Sequence, residues 1–122
     1  MSQPTIPIPL ICLGGHRDLA LTIEKDLAPN FVYPAIMTSY NKEVLLNLLE
    51  TLNPPPRGIA IGGLFPPEEV AAVERIAAER EGLQVMRVPP GTFEREGLAG
   101  VVGLVKKELG RMFGVSWGAE GS

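Results

Sequence analysis

"FVYPAIM", residues 31–37, reads as a β-strand with a proline at its centre. Aromatic and β-branched residues suit a pleated, half-buried surface, and "APN" (28–30) just before the run is a break signal. Pro34 has no N–H to donate to a ladder, so a strand that contains it belongs at the edge of a sheet. That residue decides the strand order once the other elements are placed around it.

Upstream, Ile8–Leu13 is an apolar run reached through Pro4, Pro7 and Pro9, which keep the start non-helical. The helix after it carries Leu19, Ala20, Ile23 and Leu27 on one face. Downstream of the proline strand, Asn41 is placed to cap a helix whose apolar face is Val44, Leu45, Leu48, Leu49 and Leu52. "NPPPRG" (53–58) ends that helix and "IAIGG" (59–63) makes a third strand. Pro66, Pro67, Glu68 and Glu69 fit the first turn of the next helix, where a missing N–H costs nothing and acids meet the positive end of the dipole. Its inward residues are Val70, Val73, Ile76 and Ala77, and it ends near Gly82. "LQVMRV" (83–88) is the fourth strand, and "PPGT" (89–92) leads into a last helix that runs to about Phe113. Residues 1–113 thus read as one (βα)4 domain, with 114–122 as a loose tail.

Alternating strands and helices with short connections predict a parallel sheet with helices on both faces, a three-layer α/β sandwich. Leu10–Leu13 and Ile59–Ile61 are apolar on both faces, as interior parallel strands are. The second strand has Pro34 and the fourth has Gln84 and Arg87, so both read as edges. The order 2-1-3-4, flavodoxin-like, satisfies all of this. The alternative Rossmann-like order 3-2-1-4 would bury the Pro34 strand.

The order 2-1-3-4 puts the topological switch point between strands one and three, where open α/β sheets bind ligands. Two loops meet there, "LGGHRD" (13–18) and "GGLFPPEE" (62–69), each a glycine pair before a helix start. The expected ligand set is therefore Gly14, Gly15, His16 and Arg17 on one lip and Gly62, Gly63, Leu64 and Phe65 on the other. Thr38, Ser39 and Tyr40 after the second strand, with Thr92 after the fourth, are candidates for the rim. For catalysis the candidates are His16 as a base or hydrogen-bond donor, Cys12 as a nucleophile and Arg17 as a clamp for phosphate or carboxylate. "CLGGHRD" gives Cys-x4-Arg followed by Asp18, one residue short of the phosphatase loop Cys-x5-Arg followed by Ser or Thr. A Walker A loop, the GxGxxG fingerprint, the acid that would hold an NAD ribose and a receiver's acidic cluster are all missing. One Cys and one His offer no metal site, and the residues name no particular cofactor, which stays unknown at this stage.

Of the 122 residues, 45% are hydrophobic and 20% charged, with a formal net charge of −3, a globular balance without the basic patch nucleic acid requires. No apolar run is long enough to cross a membrane, and a single cysteine fits a reducing compartment, so the expectation is a cytoplasmic protein. The last helix, "EGLAGVVGLVKKELGRMF" (96–113), holds Gly97, Gly100, Gly103 and Gly110 and has apolar residues on more than one stripe. This predicts a homodimer through Leu98, Val101, Val102, Val105 and Leu109, with Trp117 as a further contact.

"LICLGGHRDLALTIEKDLAP" together with "PPRGIAIGGLFPPEEVAAVERI" resembles a set of short Rossmann-like proteins of filamentous fungi. The resemblance implies the fold and, since the set has no assigned reaction, no activity. Three readings stand open at this stage: a module that binds a small anionic metabolite or nucleotide at the crevice, a dimeric interaction or accessory domain, and a small enzyme using His16 with Cys12 or Arg17.

Overall fold

A computed structural model describes residues 6–117, so Pro4 lies outside the described residues. Four strands, β1 (Ile8–Leu13), β2 (Phe31–Met37), β3 (Gly58–Ile61) and β4 (Gln84–Arg87), alternate with helices α1 (Arg17–Leu27), α2 (Lys42–Thr51), α3 (Pro67–Ala78) and α4 (Thr92–Phe113). All strand pairs are parallel and the order is β2-β1-β3-β4, the flavodoxin-like arrangement. The Rossmann-like alternative is excluded, and Pro34 shows why. Between the pairs Pro9↔Val32 and Ile11↔Ala35, β1 advances from 9 to 11 while β2 advances from 32 to 35. The extra residue on β2 is a bulge at Tyr33–Pro34, so the proline is accommodated by both an edge and an irregularity.

Alternation along the strands sorts the core into two layers. Leu10, Cys12, Tyr33, Ala60 and Met86 pack under Ala20, Ile23 and Leu27 of α1 and Val101, Val105 and Leu109 of α4. Ile11, Leu13, Ile59 and Ile61 pack on the opposite face under Leu45 and Leu49 of α2 and Val70, Val73 and Ile76 of α3. The predicted cap forms: Asn41 Oδ1 accepts the Val44 N–H at 3.0 Å. Among the described residues no helix is long and apolar enough to cross a membrane.

Two local expectations need correction. The last helix is not continuous, because Gly97 sits at φ 72°, ψ −174° and breaks it after its first turns. That conformation is one only glycine adopts readily. Second, the tail does not leave the domain at 114. The Val115 N–H bonds to Gly110 O at 3.0 Å, and Trp117 Nε1 donates to Lys106 O at 2.7 Å with its ring 5.8 Å from that of Phe31. A Cβ on Gly110 would stand 2.8 Å from Val115 O, so this glycine makes the fold-back possible. Residues 118–122 lie outside the described residues.

On the same helix, Val101, Val105 and Leu109 are buried within the chain at 5% exposure or less, and Leu98 and Val102 are half-buried. The α4 face assigned to a partner is thus largely covered by the chain's own sheet. Trp117 likewise packs on its own Phe31.

Candidate functional site

At the carboxyl ends of β1 and β3 the chain turns to opposite faces of the sheet, into α1 and α3. On the α1/α4 side a crevice of about 310 Å³ opens there. It exists because the residues facing one another across it are small: Ala60 on the sheet, Ala20 on α1 and Gly14 between them. A Cβ on Gly14 would already touch Cys12 Sγ at 3.5 Å and Ala20 Cβ at 3.7 Å.

Of the residues expected at the site, Cys12, Gly14, Gly15, His16, Gly62, Gly63, Leu64 and Thr92 line this crevice. Arg17, Thr38, Ser39, Tyr40 and Phe65 do not. Arg17 is exposed and points off the wall, whereas Phe65 is buried in the α2/α3 core. Tyr33, Met86, Val88, Phe93, Glu94, Val101 and Val105 are wall residues that the sequence reading did not assign to the site. The period-two pattern of β2 and β4 marks Tyr33 and Met86 as inward-facing. Only the topology shows which layer they enter.

The two glycine lips are not equivalent. The Gly14 N–H bonds to Met37 O at 2.9 Å and the Gly62 N–H to Leu13 O at 2.7 Å, so both amides extend the sheet and neither is free for a ligand. None of Gly14, Gly15, Gly62 and Gly63 has a positive φ. Gly63 is required by close approach instead: a Cβ there would stand 3.1 Å from Pro89 O in the β4–α4 loop.

α3 begins at Pro66 and Pro67, and the Glu69 and Val70 N–H groups both bond to Pro66 O, at 3.0 and 3.1 Å. With Glu68 and Glu69 in its first turn, that end repels anions. α1 is different. His16 is its N-cap residue and makes no side-chain capping bond, and the first closing bond runs from Ala20 N to His16 O at 3.1 Å. The amides of Arg17, Asp18 and Leu19 therefore lack an intrahelical acceptor.

Cys12 lies on the floor, 7% exposed. Burial pushes its thiol up to about 12 and the charge of Glu24 adds to this, against a smaller opposing effect of a hydrogen bond with Tyr33. It stays a thiol at neutral pH, and a thiol is a much weaker nucleophile than the thiolate. Burial, together with Cys12 and Glu24, also raises the Tyr33 phenol. Among the described residues His16 is the one side chain on the wall able to carry positive charge, and Glu94 also lines the crevice. Among the described residues no three His, Cys, Asp or Glu side chains cluster as metal ligands.

Fold and crevice together define a small flavodoxin-like α/β protein with an apolar cavity at the switch point. No protein-family model, curated protein or solved structure matches the chain.

Proposed function

We propose that the chain is a binding module for a small amphipathic acid. The carboxylate caps the open first turn of α1, and the apolar body fills the crevice between α1 and α4. One observation carries the reading: an uncapped helix start borders the mouth of an apolar cavity of about 310 Å³. A carboxylate there accepts from amides that otherwise face water and is favoured by the helix dipole. His16 stands beside it as an orienting hydrogen-bond donor. The volume falls at the small end of ordinary ligand sites, which lie in the range of about 300–1,000 Å³.

This narrows the anion expected from the sequence. Among the described residues no Lys or Arg lines the crevice, and Glu94 adds a negative charge to its wall. A nucleotide polyphosphate would meet one imidazole and one carboxylate, whereas a single carboxylate needs only the amides. Catalysis through Cys12 and assembly through the buried α4 face have no comparable support.

A thermal-shift series with octanoate, inorganic phosphate and ATP tests the reading. At one hundred times its dissociation constant a ligand adds about 2.7 kcal/mol, a rise of roughly 10 °C at this chain length. The rise is expected with octanoate alone. A rise with phosphate or ATP and none with octanoate would overturn the reading.

A further inference from the structure

The floor of the crevice holds a polar group that an acid at the mouth does not use. Tyr33 is 8% exposed and reaches the cavity wall from β2. Its backbone N–H donates to Glu24 Oε2 at 2.7 Å, which fixes the residue on the bulge. Among the described residues no nitrogen or oxygen pairs with its hydroxyl, and no sealed side-chain polar atom is left without a partner. The partner of that hydroxyl is the Cys12 thiol, a weak acceptor. Against so weak an acceptor the phenol O–H can exchange its partner for a ligand oxygen in the cavity, whose lining includes Ala20, Ile23, Met86 and Val105. A donor in such apolar surroundings gains most from an acceptor that arrives with the ligand.

Charge selects the kind of acceptor. Glu24 lies close enough to act on both Cys12 and Tyr33. A second carboxylate on the ligand's buried end would face that negative charge in a cavity whose lining, among the described residues, holds no Lys or Arg. An uncharged oxygen would accept from Tyr33 without this penalty.

We propose that Tyr33, with Cys12 beside it, is a neutral polar subsite for the far end of the ligand. It selects acids whose buried end bears an uncharged oxygen acceptor, as in a ketone, over plain aliphatic acids. This rests on the reading of the crevice as a site for an amphipathic acid.

The test compares octanoate with 7-oxooctanoate by titration calorimetry, on the wild type and on Tyr33→Phe. Without a donor on the floor, a ketone in place of a methylene weakens binding, because the carbonyl gives up its water. With the donor, 7-oxooctanoate is expected to bind the wild type about fivefold more tightly than octanoate. Its bound ketone 13C resonance lies downfield of that of the same ketone in hydrocarbon solvent, where it has no donor. In Tyr33→Phe the preference for 7-oxooctanoate over octanoate disappears. Equal or weaker binding of the ketone by the wild type overturns the subsite and leaves the acid site standing. Failure of the folded protein to bind either acid overturns both. If Tyr33→Phe does not fold, the wild-type preference and the 13C shift decide, and absence of both overturns the subsite.

Discussion

Ala60→Val is a substitution for which a close-packed core and an open crevice predict opposite signs. Ala60 is 4% exposed on the interior strand β3, and its side chain is part of the crevice floor. In a core at native density, two added carbons force strain and cost about 1–3 kcal/mol. Here they enter a space of about 310 Å³ between the sheet and α1. Covering apolar wall at about 0.8 kcal/mol per carbon would give about 1.6 kcal/mol. Because the crevice is open to water at its mouth, about 1 kcal/mol is the better expectation for partial burial. Valine also suits a strand backbone. Scanning calorimetry should show Tm rising by roughly 3–6 °C. Octanoate affinity in the same variant should fall at least about tenfold, because the side chain occupies the ligand's place. A fall in Tm of similar size would refute the open floor. A higher Tm with unchanged octanoate affinity would put the ligand elsewhere.

Further outcomes follow from named residues. Cys12 keeps its proton to about 12 against an ordinary 9.0, so as pH rises the unfolded chain ionises first. The stability this contributes is complete below pH 9.0 and is lost towards pH 12, at up to about 1.4 kcal/mol per pH unit. Denaturation of Cys12→Ala across that range should show a shallower alkaline decline, and an identical slope would contradict the assignment. Gly63→Ala drives a Cβ to 3.1 Å from the backbone oxygen of Pro89 and should cost about 1–3 kcal/mol in urea denaturation. Gly15→Ala meets only the tip of the exposed Leu64 side chain at 2.8 Å and should stay within about 0.5 kcal/mol of wild type. Trp117→Ala removes the ring from Phe31 and the bond to Lys106 O, and should cost about 2 kcal/mol, less than for a fully buried tryptophan. Glu94→Gln should tighten octanoate binding about twofold at low salt, with the gain fading as ionic strength rises past about 0.15 M.

The sheet order was legible because two physical rules met on few residues. Pro34 cannot serve an interior strand, and Leu10–Leu13 and Ile59–Ile61 are apolar on both faces, so the switch point followed. The crevice was legible as a place but not as a set of side chains. Glycine pairs mark where a strand turns into a helix, yet two of those amides are already bonded to the sheet, at Gly14 and Gly62. The helix starts look alike as strings, and what separates them is three-dimensional. Pro66 and Pro67 remove donors from α3, while His16 leaves those of α1 open. Tyr33 escaped notice because it is one aromatic among the apolar residues of a strand, and its bulge depends on the register with β1. Apolar residues on more than one stripe of α4 suggested a partner. Gly97, which divides the helix, and the return of Trp117 over Phe31 show that the chain supplies much of that cover itself.

The central claim is that the open start of α1, not α3, receives an acid whose body lies in the crevice. An amide-resolved NMR titration of 15N-labelled protein with octanoate tests it most directly. The account predicts the largest saturable shifts at Gly15, His16, Arg17, Asp18 and Leu19, with matching changes at the Ala20 and Val105 methyl groups. Shifts concentrated at Gly63–Glu69, or none at millimolar octanoate, would contradict it.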